Sequence, residues 1–160
     1  MAAVGAGLFL DTSVLLAGVM ELQPPNPHAH AIMAAIAAGR LGRPATAFHC
    51  CLEFYSVATR LPVEYRLAPR DAERLLREEV LARFDVVGLA GPAQPGLFTL
   101  AAADGVVGGR ICDLHIAEVA RSHGAATVLT QNRRHFASLL RYGVTVLTAE
   151  EFAPRLRRRG

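Results

Sequence analysis

Three carboxylates stand in this sequence at places where chemistry has a use for them. Asp11 directly follows the apolar run Leu8-Phe9-Leu10, and Glu53 lies inside a segment otherwise full of Cys, Leu, Phe, Tyr, Val and Ala. Asp113 leads a segment in which Ile116, Ala117 and Ala120 share its helical face. An acid at a strand end projects into the crevice where α/β sheets gather ligands. An acid on an apolar helix face is costly unless it is paired or aimed at a cation. Three such groups from separate segments would suit a hard divalent ion. Mg2+ takes oxygen ligands, keeps several waters, and can both activate a water nucleophile and neutralise charge on a phosphodiester. Without an ion the converging acids would repel one another.

Each residue also has a plainer explanation. Asp11, Asp113 and Asn132 could cap the helices that follow them. His49, Glu53, Ser56 and Arg60 fall at steps of four, three and four, which is also the pattern of a solvated stripe on an amphipathic helix. Glu118, five residues beyond Asp113, is about 140° further round a helix and should face elsewhere, on a polar side with His115 and Ser122. Thr130-Gln131-Asn132-Arg133-Arg134-His135-Phe136 puts a Thr and an Asn at a strand end and two arginines at the start of a helix. Amide and guanidinium groups would act together on a phosphate there. The six histidines include no HExxH spacing, and Cys50, Cys51 and Cys112 form no CxxC pair and are odd in number. Neither a zinc site nor a disulfide framework is expected, which fits a reducing cytoplasm.

The elements that must position these groups alternate between strand and helix. Strands are predicted at 7–10, 45–48, 84–89, 127–130 and 144–147. Helices are predicted at 14–20, 29–38, 49–60, 69–82, 97–103 and 113–123, with a short helix after Asn132 and a terminal helical turn at 149–152. Gly39, Gly105 and Gly124 serve as stops, Pro24-Pro25-Asn26-Pro27 makes a loop, and 106–110 is a glycine-rich connection. This order implies an α/β class fold with a parallel sheet covered on both faces.

Composition narrows the function classes. A chain of 160 residues with 52% hydrophobic and 19% charged residues makes one compact domain. Aromatic residues are 6% and Trp is absent, so no stacking platform for single-stranded nucleic acid is written here. All 17 basic residues are Arg, the net charge is +3, and Arg155, Arg157, Arg158 and Arg159 close the chain as a basic tail that could touch phosphate or stay solvated. Asp11 argues against a membrane span at the apolar start, since a central Asp costs roughly 2.5–3.5 kcal/mol on insertion.

Four blocks in this order resemble the PIN-domain ribonucleases, in particular the VapC-type toxins of toxin–antitoxin pairs. The first is Phe9-Leu10-Asp11-Thr12-Ser13, and the second is Glu53 with Ser56-Val57-Ala58-Thr59-Arg60-Leu61-Pro62. The third is Gly108-Gly109-Arg110-Ile111-Cys112-Asp113-Leu114-His115, and the fourth is the segment from Thr130 to Phe136. The resemblance implies a PIN-like three-layer α/β/α sandwich with a mainly parallel central sheet, spanning residues 1–153 ahead of a basic tail, 154–160. It implies catalytic roles for Asp11, Glu53, Asp113 and Asn132, the three acids binding Mg2+, with Mn2+ as a substitute. Thr12, Ser13, Thr130, Arg133 and Arg134 would then face an RNA substrate cut by metal-activated water. A homodimer inhibited by a VapB-like antitoxin is implied too, with apolar helices of 14–38 supplying its groove and DNA read by the antitoxin alone. One departure is Asn132, where the family usually has Asp; it puts a second metal in doubt, and Asp104 could compensate from its loop although spacing does not place it there.

Two other classes fit less well. A PIN-like binding module that does not cut would suit Asn132 but not the joint presence of three acids. A nucleotide-binding or phosphotransfer enzyme lacks its motifs: Gly5 and Gly7 precede the first strand, no lysine exists for a phosphate-binding loop, and Asp11 has no Asp two residues on.

Overall fold

The computed structural model describes residues 5–159. Five short strands form one all-parallel sheet in the order β3-β2-β1-β4-β5: β1 Leu8–Leu10, β2 Ala45–Ala47, β3 Asp85–Val87, β4 Thr127–Leu129 and β5 Thr145–Leu147. Every residue of β1 and β2 is buried, as expected of strands covered on both faces. The edges carry the polar positions. Asp85 of β3 is exposed and is held by Arg43, whose guanidinium also donates to the carbonyls of Ala82 and Phe84.

The helices are α1 Thr12–Val19, α2 Pro27–Ala37, α3 Phe48–Ala58, α4 Pro69–Leu75, α5 Gln94–Ala103, α6 Arg110–Ser122 and α7 Ala149–Phe152. From β1 the chain steps outward to β2 and β3, then returns across β1 to β4 and β5. Right-handed crossovers put the helices of these two journeys on opposite faces. Packing follows that division: α1 contacts α2 and α3, while α6 contacts α5 and the segment Arg133–Tyr142. The result is the three-layer α/β/α sandwich that the alternation predicts.

Close approach of α1 to α2 depends on Gly18, where a Cβ would meet the Met33 side chain at 2.4 Å and the Ala29 carbonyl oxygen at 2.9 Å. Val14 and Leu15 of α1, and Ile32, Met33 and Ile36 of α2, are buried in the core. Leu16, Ala17, Val19 and Leu22 are partly buried against this core, while Ala31, Ala34, Ala37 and Ala38 are exposed.

Several boundaries differ from the sequence expectation. The predicted helix 69–82 is α-helical only to Leu75 and widens to a π-helix over Leu76–Leu81. The predicted short helix after Asn132 is a 3₁₀ segment of ten residues, Arg133–Tyr142, ended by Gly143 in the left-handed region. Helix α6 starts at Arg110 behind Gly109, three residues earlier than expected, so Asp113 lies inside it. The basic C-terminal segment coils into 3₁₀ turns, Ala153–Arg159, in contact with α2. Ala153 is buried and Leu156 packs on the core, while Arg155, Arg157 and Arg158 remain exposed.

Candidate active site

The chain leaves β1 towards one side of the sheet and β4 towards the other, so the crevice beyond these two strand ends is the place where side chains can converge. The register pairs Leu10 with Leu129, and the Asp11 amide donates to the Leu129 carbonyl at 2.9 Å. This sets Asp11 beside Thr130. The Thr130 hydroxyl donates to Asp11 Oδ2 at 2.8 Å and the Ser13 hydroxyl donates to the same oxygen at 2.9 Å. Both hydroxyls are themselves acceptors: Thr130 Oγ1 from the Asn132 amide at 3.0 Å, Ser13 Oγ from the Gln131 amide at 2.9 Å. Each hydroxyl thus accepts from a backbone amide while donating to the carboxylate, and the two hydroxyl oxygens lie 3.4 Å apart.

Asp11 occupies the N-cap position of α1, but its side chain caps nothing there. It turns into the crevice and is only 4% exposed. Burial raises its pKa above the ordinary carboxylate value; hydrogen bonds from Thr130, Ser13 and the Thr12 backbone oppose the rise, and the charge of Glu53 adds to it. The neighbouring Cys50 thiol is pushed up to about 12 by burial and by the charge of Asp11, and burial pushes Cys51 up to about 11. These thiols are inert core groups.

Glu53 approaches from α3. Thr12 Oγ1 donates to Glu53 Oε1 at 3.1 Å, and His49 Nε2, one helical turn back, lies 3.7 Å from the same oxygen. The carboxylate is part-exposed, as is the stripe it shares with His49. Thr12 thus faces an acid of the same site. On the far side His115 of α6 meets His49 edge-on with ring centroids 5.2 Å apart, and burial followed by the charge of His49 lowers the His115 pKa.

Asp113 is held by a residue that the sequence did not single out. His135 Nδ1 lies 2.8 Å from Asp113 Oδ2, joining α6 to the 3₁₀ segment. Asn132 is at the N-cap position of that segment with no side-chain cap, so neither it nor Asp11 plays the simple capping part that would have explained it away. Arg133 turns aside to Glu151 at 2.8 Å, whereas Arg134 has no carboxylate within salt-bridge distance among the described residues. Asp104 pairs with Arg141, so its charge is already spoken for. Glu118, expected on the polar face of its helix, is buried at 6% and satisfied by Arg121 at 2.6 Å.

Among the described residues, no three His, Cys, Asp or Glu side chains stand close enough to hold a metal ion as arranged. The donor chemistry nevertheless fits a hard cation. Glu53 is close enough for its charge to disfavour that of Asp11, the groups around them include hydroxyl oxygens, and a cation would offset the cost of the buried charge. Asp113, part-exposed on α6, pairs with His135, and among the described residues it does not complete a metal-holding group with Asp11 and Glu53.

A three-layer parallel sandwich with an acid buried at the central strand end defines a class, and the PIN domain family model matches residues 8–141. The chain belongs to the PIN-domain family. Over 143 residues it is 34% identical to Ribonuclease VapC27 of Mycobacterium tuberculosis, covering 89% of this chain and 96% of that protein. Among solved structures it resembles FitAcB from Neisseria gonorrhoeae, with a TM-score of 0.63 and 18% identity over 89% of this chain and 98% of the other. VapBC2 from Rickettsia felis, bound to a DNA fragment from their promoter, gives a TM-score of 0.60 and 15% identity over 88% and 97%. At these identities the two structures speak for the fold.

Proposed function

We propose that this protein is a metal-dependent endoribonuclease serving as the toxin of a toxin–antitoxin pair. The carrying observation is Asp11: a buried carboxylate at the switch point of the sheet, oriented by two hydroxyls whose own directions are fixed by backbone amides. The likeness to Ribonuclease VapC27 over nearly the whole chain supports RNA as the substrate. Asp11, Glu53 and Asp113 would hold Mg2+, or Mn2+ in its place; when bound, the ion supplies positive charge against the phosphodiester and acidifies a water. The protein's own contribution is to position those acids. Ser13 and Thr130 fix one oxygen of Asp11, Thr12 and His49 steady Glu53, and His135 steadies Asp113. Asn132 adds a neutral amide at the same strand end.

A VapB-like antitoxin partner is supported by the likeness to VapBC2 and FitAcB, and the homodimer and the cytoplasmic setting are part of the same reading. No helix among the described residues is long and apolar enough to cross a membrane. A non-cutting RNA- or protein-binding module is the second reading, favoured by Asn132 at the fourth position and by the pairing of Asp113 with His135.

Incubating the protein with structured and unstructured RNAs in Mg2+, Mn2+ or EDTA, beside Asp11→Asn and Glu53→Gln variants, decides between them. Discrete metal-dependent cuts absent from both variants are expected. Equal behaviour of wild type and variants would overturn the nuclease reading and leave the binding module.

A further inference from the structure

Between α6 and the 3₁₀ segment lies a cleft of about 420 Å3 whose walls include Arg110, Arg134, Arg141, Asp104, His135 and Ser138. Arg110 opens α6, Arg134 stands in the first turn of the 3₁₀ segment, and Arg141 in its last, so three arginines from two elements line one space. Only one carboxylate answers them. Asp104 binds Arg141 Nη2, which leaves the cleft with an excess of two positive charges from Arg110 and Arg134, neither of which has a carboxylate within salt-bridge distance among the described residues. Arg141 is also held in place: its Nε donates to the Ser138 carbonyl at 3.1 Å and its guanidinium lies 5.8 Å from the centroid of the Tyr142 ring. A guanidinium fixed beforehand loses less freedom when an anion arrives.

One residue links the cleft to an acid of the candidate site. His135 lines it and at the same time holds Asp113. A second polar cleft of about 370 Å3, formed with Gln131, Asn132 and Thr148, shares Arg134 and His135 with the first. Arg134 and His135 thus line two spaces, one shared with Gln131 and Asn132 just beyond β4 and the other with Arg110 of α6. A polyanion with charges beyond the reacting one could contact Arg134 from either space.

We propose that the Arg110, Arg134 and Arg141 cleft is a phosphate subsite that binds the RNA backbone next to the scissile linkage, with Asp104 setting its strength by neutralising Arg141. The proposal rests on the ribonuclease reading for the identity of its ligand. Phosphate contacts of this kind position a strand without reading its bases, and they make affinity fall steeply with salt.

The test is a fluorescence-anisotropy titration of a labelled single-stranded RNA against the full chain in EDTA, at several salt concentrations, with wild-type cleavage in Mg2+ measured separately. Arg110→Ala and Arg134→Ala are each expected to weaken binding several-fold and to reduce the salt slope by roughly 0.7, the value for one single-strand phosphate contact. Arg158→Ala, outside the cleft, is expected to change little. Asp104→Asn should move the other way, tightening binding and steepening the slope, which a role confined to holding the fold would not do. If the cleft variants leave the slope unchanged, or Arg158→Ala lowers it as much, the subsite is wrong even where wild type cuts RNA. If slopes respond as stated but wild type never cuts, the subsite stands and the nuclease reading fails. No measurable RNA binding at low salt would overturn the subsite, and wild type that also failed to cut in Mg2+ would overturn both.

Discussion

Asp11 is buried and anchored by groups from two strand ends, whereas Glu53 and Asp113 sit on helices, part-exposed, Glu53 beside Thr12 and His49 and Asp113 beside His135. The strand-end half is over-determined. Parallel pairing of β1 and β4 fixes the backbone, backbone amides fix the hydroxyls, and the hydroxyls fix the carboxylate. The helical half has fewer constraints, and a half-exposed pair of this kind is worth little to the fold. The difference teaches where each kind of cost falls. The buried half keeps a charge in place at the expense of stability, while the exposed half leaves its acids room to rearrange around a ligand.

The largest effect should therefore come from Asp11→Asn. Cleavage of RNA in Mg2+ is expected to fall by more than roughly a hundredfold, beyond what the loss of an outer-shell partner does to a metal site. Circular dichroism should show the fold unchanged, since an amide oxygen can still accept from Ser13 and Thr130. Next comes Thr130→Val, which removes the donor to Asp11 and the acceptor of the Asn132 amide with almost no change of shape. It should cost about 1–3 kcal/mol in urea unfolding and roughly 10–100-fold in activity. A Thr130→Val protein of wild-type activity would mean that the hydroxyl net does not orient the acid, and the contrast between the two halves would collapse.

A third measurement separates stability from activity. Because the folded-state pKa of Asp11 is raised, the folded protein holds that proton more tightly than the unfolded chain. The sign follows: as pH rises from the ordinary carboxylate value through the raised one, wild-type stability falls, and above the raised value the whole penalty is present. In EDTA at neutral pH, Asp11→Asn should then be more stable than wild type by on the order of 1 kcal/mol, roughly 2–4 °C in Tm. The gap should close as pH falls below the ordinary carboxylate range. A variant less stable than wild type at neutral pH would show that its hydrogen bonds outweigh the desolvation of Asp11.

Much of this arrangement is legible from local pattern. The apolar run ending in Asp11, the alternation of strands and helices, and the step of four between His49 and Glu53 are short-range signals, and each element they predict is present. What stays hidden is non-local. Nothing near Asp11 says that β4 will lie beside β1 and bring Thr130 to it, because that follows from strand order. His135 is one of six histidines until the 3₁₀ segment packs on α6. The start of α6 was hidden because Gly108 and Gly109 read as breakers, although Gly109 is its N-cap and Arg110 its first residue, which moves Asp113 from a cap to an interior position. Glu118 escaped notice for a similar reason: a charge reads as surface, and only its neighbour three residues on makes burial tolerable.

The smallest effect should be found at the histidine that braces Asp113. His135→Asn removes the imidazole, 2.8 Å from the carboxylate in the parent, without adding bulk to the half-exposed junction of α6 and the 3₁₀ segment. Surface changes of this kind usually stay within about 0.5 kcal/mol, so Tm should hardly move. Mn2+ affinity, read by calorimetry, is expected to weaken by less than about tenfold, the low end for an outer-shell partner, with activity following affinity and recovering at saturating metal. That recovery is the discriminating readout, since a brace changes how readily the ion is held and not what the occupied site does. Should His135→Asn instead abolish cleavage at every metal concentration, as Asp11→Asn is expected to do, the order of the two halves would be reversed and the Asp113–His135 pair would be the anchored one.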